Sequence, residues 1–102
     1  MKSPSARDKF RVAALSVVKH DYVPLAVFAH PRFEAVVVAD DPGEPDWVHE
    51  RNEKFARDLA VPYVRDVEQA LTRYDAQVAV VSSQAERHCE LSVRAATRGL
   101  HV

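Results

Sequence analysis

The sequence predicts a doubly wound α/β fold, in which helices cover both faces of a parallel β sheet. The first observation is that runs such as 33–39 (FEAVVVA) and 76–82 (AQVAVVS) are almost continuously apolar, as is typical of parallel strands that are buried on both faces. The second is that segments with helical spacing of apolar residues lie between such runs. The third is the resulting order, βαβαβαβα and then the start of a fifth strand, which implies parallel strands joined by right-handed crossovers.

The first strand–helix unit occupies residues 10–30. Phe10–Leu15 is a short, mostly apolar run with β-branched content, which predicts a strand. A helix over 21–30 follows, since Asp21 can cap it, Pro24 is tolerated in its first turn and Pro31 ends it. Its predicted buried face consists of Val23, Ala26 and Val27.

The middle of the chain predicts a second strand, a loop and a longer helix. The strand over 33–39 ends in a loop over 40–45, because two prolines and one of the two glycines of the chain break any regular pattern there. Asp46 is the predicted N-cap of a helix from Trp47 to about Ala60. The predicted buried stripe of this helix is Val48, Phe55 and Leu59. Trp47 and Phe55 are interpreted as packing residues rather than as a stacking platform.

Two further strand–helix units complete the pattern. They are a short strand over 61–64, a helix from 66 through 71, a strand over 76–82, a helix over 86–98 and the first residues of a fifth strand at 100–102. Asp66 with Gln69 makes a capping box for the first of these helices. Gly99 is well placed as the C-cap of the second.

Composition and charge restrict the class of protein. The 102 residues suffice for one domain, predicted over 10–102 after a disordered tail over 1–9. The formal net charge of −1 lacks the basic excess of a nucleic-acid binder, and no window approaches the roughly 18 apolar residues of a membrane span. Cys89 is the only cysteine, which excludes an internal disulfide or a CxxC site and favours a reducing cytoplasm.

Three segments in this order resemble the N-terminal Rossmann domain of the Gfo/Idh/MocA oxidoreductases, the glucose-fructose oxidoreductase and inositol dehydrogenase family. They read HPRFEAVVVADDP, VPYVRDVEQAL and AQVAVVSSQAERHCELSVRAATRGLHV. The resemblance implies a Rossmann-like doubly wound sheet, an NAD(P) cofactor and a sugar or polyol-like substrate. It also implies that the Glu-Lys-Pro motif with the catalytic lysine and the substrate domain lie outside these 102 residues. We therefore expect a partial chain without catalytic residues, and no turnover by it alone.

The first loop departs from this family. Its Gly-x-Gly-x-x-Gly motif, which lets the backbone approach a pyrophosphate, is replaced by Ser16, Val18 and Asp21. A side chain at Val18 is expected to intrude where the phosphate oxygens would lie. The loop residues Ser16, Val17, Val18, Lys19 and His20 are nevertheless the predicted cofactor contacts at this position. Lys19 and His20 could supply positive charge in place of backbone N–H groups, or be solvated loop residues.

Two further groups of residues are predicted to contact the cofactor. Asp40 and Asp41 end the second strand, where an acidic side chain could bind both ribose hydroxyls. Their paired charge would repel a 2′-phosphate and so favour NAD over NADP. The residues Ser82, Ser83, Gln84 and His88 follow the fourth strand, in the position of a Thr-Pro-x-x-x-His loop in the family. Alternatively, Asp40 and Asp41 are ordinary loop carboxylates. The segment after the fourth strand would then hold a serine that caps a helix and an exposed histidine.

Other site chemistries find little support in the sequence. A Ser–His hydrolase would need a Gly-x-Ser-x-Gly elbow, which the sequence does not contain. No metal site is predicted, since His30, His49 and His101 are scattered singly. Cys89 is interpreted as a buried structural cysteine. Two alternatives to the oxidoreductase domain stay open: a degenerate Rossmann-like module that binds a partner but no cofactor, and an unrelated flavodoxin-like domain.

Overall fold

The computed structural model describes residues 9–19 and 21–102. The predicted order of elements is confirmed, and their bounds differ from the predicted ones by at most a few residues. The elements are β1 (Phe10–Leu15), α1 (Tyr22–Ala29), β2 (Phe33–Ala39), α2 (Asp46–Asp58), β3 (Tyr63–Val64), α3 (Val67–Arg73), β4 (Val78–Val81) and α4 (Ala85–Thr97). Most of the predicted tail over 1–9 lies outside the described residues, so that expectation stays untested.

The four strands form one parallel sheet in the order β3-β2-β1-β4. The chain moves outward from β1 through β2 to β3 and then returns to the other side of β1, which makes the sheet doubly wound. The predicted fifth strand is represented by a single parallel bridge between Val78 and His101. The point at which the strand order reverses lies between β1 and β4, where ligands of such sheets bind at the carboxyl ends of the strands.

Each face of the sheet has its own core. Ala14 and Val38 pack with Phe55 of α2 and Phe28 of α1 on one face. On the other face, Leu15 and Val37 belong to a cluster with residues of α3 and α4, among them Val67, Leu71, Leu91 and Ala95. Because successive strand residues point to opposite faces, the nearly continuous apolar runs noted in the sequence supply both cores.

A β-bulge interrupts the pairing of β1 with β2. Val12 pairs with Ala35, but the next residue, Ala13, pairs with Val37. Val36 is therefore the extra residue, and it packs with Val37 against the same core cluster. Two consecutive residues of β2 thus share one face of the sheet, as a bulge permits.

The helix ends follow recognisable capping rules. The side chain of Asp66 accepts a hydrogen bond from the Gln69 N–H at 2.9 Å, as predicted for the start of α3. Helix α4 ends in a Schellman motif, with Gly99 at φ 87° and the Leu100 N–H bonded to the Ala95 carbonyl at 3.1 Å. One cap prediction is wrong: the N-cap of α2 is Pro45, and Asp46 lies in the first turn, where its charge still favours the helix dipole.

Helix α1 is the element that the sequence described least well. Val23, predicted to be buried, is 41 % exposed, whereas Pro24 is the buried residue of this helix. The sequence of the helix, YVPLAVFA, contains no charged residue, so it has no polar face from which its orientation could be read. Within the described part of the chain, no helix is long and apolar enough to cross a membrane.

Candidate functional site

The carboxyl edge of the sheet brings two of the predicted cofactor-binding segments into direct contact. The loop after β1 meets the residue that follows β4, because the N–H groups of Val18 and Lys19 both donate to the Ser82 carbonyl, at 3.3 and 3.0 Å. Ser16 begins the loop with φ 58°, in the left-handed region for which the first glycine of a phosphate loop is suited. His20 lies outside the described residues. The backbone path of a phosphate loop is thus present in part without its glycines.

The side chains of the two loop valines are turned inward. Val17 and Val18 are both buried, and they line a cleft of about 540 Å³ beside α2 together with Phe55 and Arg51. The Arg51 guanidinium donates to the Val18 carbonyl at 2.9 Å. The predicted intrusion by Val18 on a phosphate stays a prediction. The backbone N–H groups of Val17, Val18 and Lys19 already have hydrogen-bond partners within the chain.

Asn52 is the residue that joins the loop to the end of β2. It lies on α2, is 0 % exposed, and its Oδ1 accepts from the Val17 N–H at 2.7 Å. Its Nδ2 donates to Asp40 Oδ2 at 3.0 Å and to the Tyr63 hydroxyl at 3.1 Å. A single buried amide thus fixes the first loop relative to the acidic residue predicted to recognise the ribose.

Asp40 is placed at the predicted position but is closed off from solvent. It is 0 % exposed and accepts from the Asp41 N–H at 2.8 Å. Arg87 of α4 reaches across the end of the sheet and donates to Asp40 Oδ1 at 2.7 Å. Burial alone would lower the pKa of Arg87, and its hydrogen bond to Asp40 raises that pKa above the ordinary value. The guanidinium of Arg87 therefore stays protonated at this buried contact.

Asp41 belongs to a second, more exposed set of ion pairs. Arg94 binds it through two nitrogens at 2.7 and 3.0 Å, and Arg87 donates to it at 2.9 Å. The hydrogen bond from Arg94 lowers the pKa of Asp41, against the opposing effect of burial. Arg94 also donates to Glu68 of α3 at 2.9 Å. This set ties α3 and α4 to the end of β2.

The network ends at β3, in a pair formed by the buried His49 of α2 and the half-buried Tyr63. His49 Nδ1 lies 2.6 Å from the Tyr63 hydroxyl, and burial raises the pKa of Tyr63 to about 12. The hydroxyl accepts from Asn52, so its own hydrogen can point to His49. His49 Nε2 is buried without a hydrogen-bond partner in the part of the chain that the structure describes.

The residues after β4 have mixed environments. Ser82 and Ser83 are buried, and the Ser82 hydroxyl has no partner among the described residues. Gln84 is the N-cap of α4, although its side chain makes no capping hydrogen bond. The His88 ring contacts the Ser83 carbonyl through Nε2 and lines a groove of about 410 Å³ between α1 and α4. The structure thus places Ser82 beside the first loop, whereas His88 is turned toward the groove.

Cys89 corrects one expectation from the sequence. It is exposed, because the buried positions of α4 are Leu91 and Ala95. Its neighbour His88 is bonded to backbone, and within residues 9–19 and 21–102 no group of three or more potential ligands could hold a metal ion.

The sequence missed the two side chains that close the site, Asn52 and Arg87. A signal for Asn52 was present: it lies four residues after Val48 and three before Phe55, on the stripe predicted to be buried. A polar residue at such a position needs a buried partner. Arg87 carries no comparable signal, because an arginine in the first turn of a surface helix is ordinary.

Comparisons with known proteins define the fold and leave the family open. No family model matches the chain, and no curated protein matches it. One similar solved structure is a protein from Desulfitobacterium hafniense provisionally named an NADPH-dependent oxidoreductase, with a TM-score of 0.75 and 19 % identity over 92 % of this chain. Another is a protein from Bordetella bronchiseptica provisionally named a dehydrogenase, with a TM-score of 0.71 and 22 % identity over 91 % of this chain.

These likenesses establish the fold. The chain is a Rossmann-like α/β domain of the kind found in those two proteins. It spans 26 % and 23 % of their respective lengths.

Proposed function

We propose that this chain is the nucleotide-binding domain of an oxidoreductase, with a nicotinamide dinucleotide lying across the carboxyl ends of β1, β2 and β4. The observation that carries the proposal is that the first loop contacts Ser82 directly and is joined to Asp40 through Asn52. These residues lie at the reversal of strand order, which is where Rossmann-like sheets bind dinucleotides. The names of the two similar structures, an NADPH-dependent oxidoreductase and a dehydrogenase, support it.

The hydrogen-bond donors at the carboxyl edge of the sheet fit a nicotinamide dinucleotide only in part. The N–H groups of Val17, Val18 and Lys19 are bonded within the chain, so they do not offer the cradle of a glycine-rich loop. We therefore assign recognition chiefly to the ribose end, at Asp40. Lys19, which is exposed, would supply charge to the pyrophosphate, and His20 is proposed to act with it.

The finer assignments rest on the resemblance to the Gfo/Idh/MocA family. They are NAD rather than NADP, a sugar or polyol-like substrate, and a substrate site supplied from outside these residues. The acidic excess at the end of β2, where Asp40, Asp41 and Glu44 face Arg87 and Arg94, supports NAD, since a 2′-phosphate would be repelled there. Oxidation of inositol with NAD by the 102-residue chain would contradict the assignment of the substrate site to residues outside it.

A titration of the 102-residue chain with NAD and NADP tests the proposal. Saturable heat in calorimetry and a rise in Tm are expected for NAD, because a ligand at 100 times its Kd adds about 2.7 kcal/mol to the free energy of unfolding. NADP should bind more weakly. Lys19→Ala should weaken NAD without lowering Tm of the free chain, since the side chain is exposed. Absence of heat and of any Tm shift at millimolar NAD would reject the proposal.

A second candidate function is favoured by the satisfied loop amides and the inaccessible Asp40. In this alternative the domain is a degenerate Rossmann-like module that no longer binds a dinucleotide and serves to bind a partner. The same titration separates the two functions, because this module should give neither heat nor a Tm shift with either dinucleotide.

A further inference from the structure

We propose that Arg87 occupies the ribose-binding position of Asp40 and competes with the ribose diol for it, so that Arg87 sets the affinity of the domain for its nucleotide. This inference rests on the proposed function and assigns a role in it to a residue of α4. Arg87 is a positioning residue in this scheme, since it acts through Asp40.

The hydrogen bonds of Asp40 indicate what the diol would replace. An ionised carboxylate has about four acceptor positions. Both positions of Oδ1 are used, by the Asp41 N–H and by Arg87. One of the two positions of Oδ2 is used, by Asn52. If Arg87 leaves, one acceptor position is available on each oxygen. The two hydroxyls of a ribose diol supply the two O–H donors that this arrangement lacks.

Arg87 has other partners at hand when it leaves Asp40. Its guanidinium lies 2.9 Å from Asp41, 3.3 Å from Glu44 and 4.0 Å from Glu90. Its side chain is 13 % exposed, whereas that of Asp40 is fully enclosed. A small rotation toward solvent therefore keeps the guanidinium paired, and the cost of uncovering Asp40 is limited to one short charge-assisted hydrogen bond. The closed and open arrangements differ by that bond rather than by unfolding of α4.

Arg94 provides a matched control. It is also an arginine of α4 and binds Asp41 through two nitrogens, but the structure gives it no contact with Asp40. Replacement of either arginine by glutamine removes one positive charge from the same acidic cluster. Only the replacement of Arg87 uncovers the Asp40 carboxylate.

The experiment measures binding to the wild-type chain, Arg87→Gln and Arg94→Gln by calorimetry. The probes are NAD, ADP and 2′,3′-dideoxy-ADP, which lacks the diol. Arg87→Gln should bind NAD and ADP about tenfold more tightly than wild type, because the diol no longer displaces a charge-assisted hydrogen bond. It should bind dideoxy-ADP as wild type does. Arg94→Gln should stay within about twofold of wild type for all three probes.

The outcomes separate this inference from the proposed function. Binding of NAD by wild type with equal or weaker binding by Arg87→Gln overturns the inference alone, as does an equal gain for dideoxy-ADP. Absence of NAD binding by every variant overturns the proposed function and the inference with it. If circular dichroism shows that Arg87→Gln does not fold, Arg87→Lys serves instead, because lysine keeps the charge but lacks the fork of the guanidinium. A diol-dependent gain of about threefold is then expected, and its absence overturns the inference.

Discussion

Replacement of Asn52 by leucine should be among the most destabilising substitutions in this domain. Leucine is of similar size and keeps the apolar packing of α2, but it makes none of the three hydrogen bonds of the amide. The Val17 N–H would be left buried without its acceptor at 2.7 Å, and Asp40 would lose the donor at 3.0 Å. An unsatisfied buried donor costs about 1–3 kcal/mol and a lost bond to a charged group about 1.5–3 kcal/mol, so we expect a loss of about 2.5–6 kcal/mol.

Urea unfolding followed by circular dichroism measures this loss. The midpoint should fall while the m-value stays unchanged, which indicates a change in stability rather than in the extent of unfolding. In a domain of this size Tm should fall by roughly 10 °C or more. Gln69→Leu is the matched control, since it makes the same kind of replacement at an exposed position of α3 and should change stability by less than about 0.5 kcal/mol. If Asn52→Leu also changes stability by less than about 0.5 kcal/mol, the bridging role of the amide is wrong.

The remaining predictions concern single groups. Tyr63→Phe should lower the free energy of unfolding in urea by about 1–3 kcal/mol, because His49 Nδ1 loses its partner. The wild-type chain should lose stability between about pH 10 and 12, where the unfolded chain releases the Tyr63 proton and the folded chain keeps it. Tyr63→Phe should abolish this loss. Asp41, whose folded pKa is lowered, stabilises the fold above its ordinary value of 3.8, so Tm should fall as the pH drops below this value, and less steeply in Asp41→Asn. Ala60→Gly should raise stability by about 1 kcal/mol, since Ala60 has φ 57°, and an unchanged urea midpoint would contradict this. Cys89, which is exposed, should react with a thiol reagent in the native state as fast as in urea, whereas protection in the native state would argue against the exposed position.

The order of elements could be predicted because the sequence carries local signals for it. The apolar runs of β2 and β4 and the capping residues Asp66 and Gly99 each depend on a few neighbouring residues. The predicted ends of helix α2 were nearly right although Ala60 stands where a glycine is usual, because the chain closes the same Schellman motif there, with Val61 N–H on the Ala56 carbonyl at 3.0 Å. Local signals therefore sufficed for the elements.

The closure of the candidate site could not be predicted, because it depends on contacts between distant residues. Arg87 and Asp40 are 47 positions apart in the chain, and only the doubly wound topology brings them together. The buried face of α1 was predicted wrongly for a different reason. A helix without charged residues has no polar face that shows which side of it is turned toward the core. Cys89 was misjudged because its residue type suggested burial, whereas its position on α4 decided its exposure.

The bulge in β2 has a consequence for the chemistry of the edge above it. A regular strand alternates its side chains strictly, so one additional residue reverses the parity of every position that follows. Because Val36 and Val37 share a face, Val38 and the side chain of Asp40 are directed to the α2 side, where Asn52 meets the carboxylate. Strict alternation from Val36 onward would instead place position 40 on the side of α3 and α4. Because the bulge absorbs the additional residue, deletion of Val36 would restore regular pairing with β1 and leave the acidic group of this site directed to α2.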